Sequence, residues 1–368
     1  MIVKGRTART PGNVVVVETL SEKHKPQWDR FVETSRDATF FHTYEWDRLL
    51  RIGFRDETPF HSGLWLDNEL AAIWPASIVP SLGGRVLSSA PHSPCGIPVL
   101  KGDLDIALLG RLVEHVLEVG RKKGLMRWQV DLPKDSTAVA FASAWGFGIQ
   151  ASRICTFVVD TTRGADVLWK DMAQQARTAV RKARKCMLRV NECFDATGIS
   201  KYIHMYRSTM RRHGRQGVSS EFFDLLLPLV HRGKARLLLA SVGDKAIAGI
   251  ILFVHNQRAF YWSGASLQEA WKFRPNELLL WEAMEWASNS GIISLDLGPT
   301  PSEPTSSLGL FKRHLGGKRT DMVRLTLPIN RLANLFPTSA VRLYRMVIKL
   351  GLSPRPLTRW LQNKYDTV

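Results

Sequence analysis

A lysine directly follows an aromatic residue at Phe311-Lys312, inside a Ser/Pro/Thr/Gly-rich stretch from Ser302 to Gly317. A lysine so placed can stabilise the negative charge that develops on an acyl carbonyl under attack. The same residues also fit a basic surface turn. A second group is a row of guanidiniums, with Arg177 and Arg181 four apart and Arg184 continuing the row. On a helix these share a face, and they can grip phosphate or carboxylate with forked, charge-assisted bonds. Residues 170–189 hold seven Lys/Arg and one Asp. A merely solvated face, the competing reading, normally interleaves the two signs. A third group is Phe273-Arg274-Pro275-Asn276-Glu277. Pro275 suits the first turn of a helix, whose free N–H groups bind anions such as a pyrophosphate. No glycine-rich signature accompanies it, so a plain helix start fits equally. Asp131 and Asp296 close two short apolar strands, a common place for α/β sites, and each could be a base or a structural cap. Tyr206, Tyr261 and Trp262 suit a core or a groove.

Composition bounds the classes open to these residues. The chain has 368 residues, 45% hydrophobic and 23% charged, which fits a globular protein of about two domains. The net charge of +18 is one-sided. Residues 1–164 carry 20 Lys/Arg against 18 Asp/Glu, and residues 165–368 carry 31 against 15. Such an excess points to a polyanionic partner, with a basic surface kept for solubility as the bland alternative. Cys95, Cys155, Cys186 and Cys193 form no CxxC pair, and no HExxH or calcium-loop spacing occurs, so no metal is expected. GxxxxGK[ST] and GxSxG are also missing. Val14–Val17 is too short for the core of an export signal, and no apolar run spans a bilayer, so a cytoplasmic chain is expected.

The elements that must position these residues repeat. Leu64–Leu66, turn Asp67-Asn68-Glu69 and Leu70–Ile78 read as a hairpin. Leu237–Ala240, turn Gly243-Asp244-Lys245 and Ala246–Val254 read the same way. Each hairpin is followed by a helix stopped by glycine, Leu104–Lys123 by Gly124 and Asn276–Ser290 by Gly291. Each glycine leads to a strand closing on an aspartate, Asp131 or Asp296. Turn to aspartate spans 64 residues in the first case and 52 in the second. The pattern predicts an internal duplication of one α/β unit. Between the copies, the period of Trp169, Met172, Ala176, Val180 and Ala183 predicts one long helix over 164–187. Further helices are expected over 199–212 and 219–231. Beyond Pro328 the chain mixes apolar residues with seven Lys/Arg and reads as short amphipathic helices broken by Pro337, Pro354 and Pro356.

Five segments, in order, resemble the FemAB-like branch of the Gcn5-related acyltransferase (GNAT) superfamily. Phe40–Trp46 resembles that branch's early helix entry, and Ala176–Ala183 its R-x-x-[IV]-R-K-A helix. Arg274–Trp281 resembles PNxLLxW, Leu295–Gly298 resembles hDhG, and Gly309–Gly316 resembles GhxxFKxxhG. The resemblance implies an α/β (α+β) fold of two tandem GNAT-like domains, each a mixed sheet flanked by helices. The expected division is 1–163, 164–327 and a basic tail over 328–368. It implies transfer of an acyl or aminoacyl group to an amine of a cell-envelope, polysaccharide or peptidoglycan-related acceptor. The exopolysaccharide-associated members have similar basic tails. Phe311 and Lys312 would then stand at the transfer centre, with Asp296, Tyr206 or water taking the proton. Arg177, Arg181, Arg184 and Trp262 would line an anionic acceptor's groove, and Arg274, Asn276 and Glu277 would meet the donor. No bound cofactor is expected. The donor stays open between acyl-CoA, such as acetyl-CoA, and aminoacyl-tRNA, and the [QR]-x-x-G-x-[GA] pyrophosphate loop of many GNAT members is not present. The alternative is a non-catalytic protein that binds a polyanion through its basic groove. Either reading is compatible with the tail docking at the inner face of an anionic membrane.

Overall fold

The computed structural model describes residues 7–10, 13–81, 84–89, 91–93, 96–102, 104, 106–136, 149–301 and 306–330. The expected tail beyond Asn330, Cys95 and the Ser302–Thr305 part of the polar loop lie outside them. The described chain forms two units. One holds the residues up to Arg153 together with those from Met322 onward, and the other runs from Ile154 to Asp321.

The first unit opens with β1 (Thr7–Thr10), β2 (Asn13–Thr19), α1 (Lys25–Thr34) and α2 (Tyr44–Gly53). Strands β3 (Thr58–Pro59), β4 (Ser62–Leu66), β5 (Glu69–Trp74), β6 (Ser77–Ser81), β7 (Gly84–Ser89) and β8 (Val99–Leu100) follow. Helix α3 (Ile106–Lys122) and β9 (Arg127–Pro133) complete the run, and β10 (Gln150–Asp160) leads into the second unit. That unit contains α4 (Ala165–Asp171), α5 (Gln174–Lys185), β11 (Arg189–Glu192), α6 (Ala196–Arg212), α7 (Ser220–Asp224) and α8 (Leu226–His231). It continues with β12 (Ala235–Val242), β13 (Lys245–His255), β14 (Arg258–Ser266), α9 (Pro275–Asn289), β15 (Ser294–Pro301) and α10 (Ser307–His314). Strand β16 (Lys318–Pro328) returns the chain to the first unit.

Local chemistry accounts for the repeated pattern. Asp67 and Asn68 both take left-handed backbone angles, the requirement of a tight two-residue hairpin turn. Asn256-Gln257 does the same between β13 and β14. Gly124 and Gly291 cap α3 and α9 with positive φ, and the following N–H of Leu125 or Ile292 reaches back to Gly120 O or Ala287 O. In the first unit the sheets run β1-β2-β4-β5-β8 and β16-β9-β7-β6-β3. In the second the order is β11-β12-β13-β14-β15-β10. Each unit has a parallel pair on either side of its glycine-capped helix, β7 with β9 and β14 with β15. The fold is thus mixed α/β, with helices against mixed sheets. Leu64, Leu87, Leu112 and Trp128 lie in the first core, and Val180, Leu279, Leu252 and Leu297 are buried in the second unit.

Two helical expectations change. The helix expected over 164–187 breaks at Met172-Ala173, where both residues turn extended, giving α4 and α5. Ala173 N–H there donates to His314 O at 2.8 Å, and Arg177 fills the gap with its guanidinium. The helix expected over 219–231 divides at Leu225 into α7 and α8. Asp131, one of the two strand-end carboxylates, is held by Arg324 of β16 through a forked pair at 2.7 and 2.8 Å, between directly opposed residues of two strands. That makes Asp131 a cross-strand clamp.

Candidate active site

The second unit's parallel pair is short. Arg258, Ala259 and Phe260 face Ser294, Leu295 and Asp296, and the ladder then ends although both strands continue. Each strand carries an irregularity at that point. β14 has Trp262 extra opposite the Ile251–Leu252 step of β13, and β15 bulges against β10 between its pairings with Thr156 and Val158. Bulges bend a strand and re-aim its side chains, so the two strands part beyond Phe260 and Asp296. Gly298 sits in the β15 bulge with φ +85°, and a Cβ there would stand 3.4 Å from Tyr261 O and 3.6 Å from Lys312 Nζ. Strand alternation buries Leu295 and Leu297 and turns Asp296 to the opposite face.

Asp296 and Lys312 meet at this bulge. Asp296 Oδ1 accepts from Gly298 N at 2.7 Å and from Thr156 Oγ1 at 2.5 Å. Burial pushes its carboxyl up, against the opposing pull of Thr156, Gly298 and the Lys312 charge. Lys312 arrives from α10, whose start is fixed by Ser306 Oγ accepting from Gly309 N. Lys312 is 3% exposed and donates to Gly298 O at 2.8 Å and Pro299 O at 3.1 Å. Burial lowers its ammonium pKa to about 8, partly countered by Asp296 and Cys155. The result is a buried cation beside a bulged, glycine-bearing strand end. It can present a proton or positive charge to an oxygen that becomes anionic.

A cleft of about 650 Å³ opens on the neighbouring face of α10. Its walls are one face of α5 (Gln174, Gln175, Thr178, Lys182), Arg274 and Glu277 at the start of α9, and Phe311 and His314 of α10. Gln175 Nε2 lies 2.9 Å from His314 Nε2. Arg274 takes a left-handed conformation (φ 59°) as the residue before Pro275 and lies 3.7 Å from Glu277. A non-glycine residue in that region costs roughly 1–2 kcal/mol, and strain of this kind gathers at functional sites.

The structure therefore brings Lys312 together with Asp296, and Phe311 together with Arg274 and Glu277. Asn276 is half-buried in the first turn of α9. The other candidates stand elsewhere. Arg177 donates to the carbonyls of Lys170 at 2.8 Å and Met172 at 2.9 Å, capping α4. Arg181 lies over the Trp169 ring, and Arg184 pairs with Glu282 of α9 at 3.0 Å. Tyr206 is buried in α6, accepts from Val218 N and packs against Tyr202 and Phe223, and burial pushes its phenol up. Trp262 stacks on Phe222 at 4.9 Å. Gln174, Gln175, Thr178, Lys182 and Thr156 were not anticipated. Lys182 belongs to the basic run, but only the helix's rotation shows that it, rather than Arg181, faces the cleft. Thr156 lies on another strand and leaves no local signal.

Among the described residues, no helix is long and apolar enough to cross a membrane. Residues 170–305 match the family model described as an acetyltransferase (GNAT) domain. No curated protein matches the chain. Among solved structures, FemX superposes with a TM-score of 0.63 at 14% identity, covering 83% of this chain and 96% of that one. The C-terminal DUF2156 domain of a proposed lysylphosphatidylglycerol synthetase from Agrobacterium fabrum gives 0.56 at 15% identity, over 85% and 94% of the two chains. A tandem GNAT protein from the clavulanic acid biosynthesis pathway gives 0.54 at 12% identity, over 86% and 99%. At these identities the likeness is one of fold. Residues 170–305 thus match a GNAT domain, and the chain shares the fold of these two-domain structures.

Proposed function

We propose that this protein is an N-acyltransferase whose second unit holds the reacting groups. The observation that carries this reading is the parting of β14 and β15 at Phe260/Asp296, within the matched GNAT domain, with buried Lys312 at the bulge. An acceptor amine would attack the carbonyl of a thioester or aminoacyl ester, forming a C–N bond. The carbonyl oxygen would become an oxyanion, then expel the thiolate or alkoxide as the C–S or C–O bond breaks. Lys312 supplies positive charge to that oxyanion. Asp296, its carboxyl raised by burial, is the nearest candidate to take the amine proton. Positioning in the cleft contributes the remaining acceleration. Arg274 and Lys182 on the cleft wall, with the first turn of α9, suit the anionic part of the donor. The fold shared with a lysylphosphatidylglycerol synthetase domain supports an acceptor from the cell envelope.

The test is thermal unfolding with acetyl-CoA, longer acyl-CoAs and charged tRNA in turn. A ligand that binds only the folded state raises the transition temperature. A shift with an acyl-CoA, diminished by Arg274→Ala, supports a CoA thioester donor. A shift with charged tRNA alone assigns an aminoacyl donor. No shift with any of them would refute the transferase reading and favour a protein that binds a polyanion without chemistry.

A further inference from the structure

The end of α6 and the short helical turn Gln268–Phe273 form a face that, apart from the adjoining Arg274, the acyl-transfer reading does not use. The chain here reads Arg211-Arg212-His213-Gly214-Arg215 on one side and Trp271-Lys272-Phe273-Arg274 on the other. The two sides are joined. Arg212 lies over the Trp271 ring at 4.9 Å and donates to Ser266 O at 3.3 Å, while Trp271 Nε1 donates to Ser266 Oγ at 2.9 Å. Trp271 still leaves 44% of its surface exposed, one of the few large apolar side chains among the described residues that do. Lys272 carries its ammonium over the Phe273 ring at 5.0 Å.

The charge of this face is not compensated. Among the described residues, Arg211, Arg212, Arg215 and Lys272 have no carboxylate partner, and only Arg274 reaches one, Glu277. Glu269 is the other acid nearby, in the same short turn. The Nε–H groups of Arg212 and Arg215 are buried with no acceptor. Crowding by Arg212 and Arg215 adds to burial in holding His213 below its usual value.

We propose that this face docks on an anionic lipid bilayer, with Trp271 and the Phe273 ring at the headgroup boundary and the arginines and Lys272 on the lipid phosphates. An indole with an apolar body and a satisfied N–H suits that boundary. A single-stranded nucleic acid would call for successive stacking platforms, and here one indole is exposed, with Arg212 against its ring. Arg274 belongs both to this face and to the cleft wall, so docking would set the cleft near the membrane surface. The surface stands independently of the transferase reading, because its test requires no turnover.

The experiment is co-sedimentation of the full chain with phosphatidylcholine vesicles, with and without phosphatidylglycerol. Wild type should bind only the anionic vesicles, and less at high salt. Each lost cation should lower partitioning about fivefold. Arg211 and Lys272 are exposed, so Arg211→Gln/Lys272→Gln should fold normally, as circular dichroism would verify, and bind about 25-fold more weakly. Trp271→Ala should weaken binding with the salt dependence retained. Unchanged binding by the double variant would place any docking elsewhere, such as the basic segment beyond Pro328, and overturn the proposal. Equal binding to neutral vesicles would also overturn it. So would no vesicle binding at all, or binding to an RNA oligonucleotide in place of vesicles.

Discussion

Replacing Lys312 by methionine tests the central feature of the site without any substrate. In the folded protein the amine sits at a pKa of about 8, against 10.5 for an ordinary lysine. A lowered pKa means that the unfolded chain binds more protons between those two values. Stability must therefore rise with pH through that window. Below it, both states are protonated and the full cost of burying the ammonium, about 3 kcal/mol, is present. From about pH 7.5 to about pH 9.5, wild type should regain about 2 kcal/mol of it. The neutral amine keeps two N–H groups, enough for Gly298 O and Pro299 O. Methionine removes the buried charge but strands those two carbonyls, at about 1–3 kcal/mol each. At neutral pH the two effects largely offset, and the variant should be only slightly less stable. The gap should widen by about 2 kcal/mol at the higher pH. Urea unfolding of both proteins at both pH values measures this, and taking the difference cancels the tyrosines and cysteines that titrate in both. A gap that does not change with pH would refute the reasoning, because it would mean that Lys312 ionises like a solvated lysine. Under the proposed function the same variant should also lose about 10²–10³ in turnover.

Two further outcomes follow from the geometry. Arg177→Ala should destabilise the protein by about 1–3 kcal/mol, the worth of a charged group's hydrogen bonds to the carbonyls at the end of α4. Full stability in Arg177→Ala by calorimetry would refute the capping role. Asp47 is buried and, against its desolvation, is held below the usual carboxylate range by His61 at 3.0 Å and Arg51 at 2.8 Å. A lowered carboxylate pKa contributes stability above its unfolded value and loses it as pH falls through the folded value. Asp47→Asn should therefore cost about 2 kcal/mol at neutral pH, and the two proteins should converge in acid; parallel acid-unfolding curves would count against the pairing.

The sequence by itself determined the repeated hairpin, capped-helix and strand pattern and its order. Turn residues able to take positive φ, glycines past helix ends and apolar periods are local, and local chemistry is what a linear reading sees. That is why both hairpins and both capped helices stand where the residues place them, whereas the two strands run on past Asp131 and Asp296. It also singled out Lys312, Asp296, Phe311, Arg274 and Glu277, through a lysine after an aromatic residue, a strand aspartate and segments that resemble a known family. Only the tertiary structure decided what each charge faces. Arg177, Arg181 and Arg184 look like one anion-gripping row, but the break at Met172-Ala173 sends Arg177 onto α4 carbonyls. Packing against α4 and α9 then gives Arg181 a ring and Arg184 a carboxylate. Lys182, one residue along, takes the cleft position. Tyr206 is a phenol that a site could use, yet its hydroxyl accepts from a backbone N–H in the core. The bulges that part β14 from β15 depend on pairing between strands distant in the chain, such as β10 with β15. A side chain's chemistry is fixed by its type, but its role depends on which neighbour reaches it first, and long-range packing selects that neighbour.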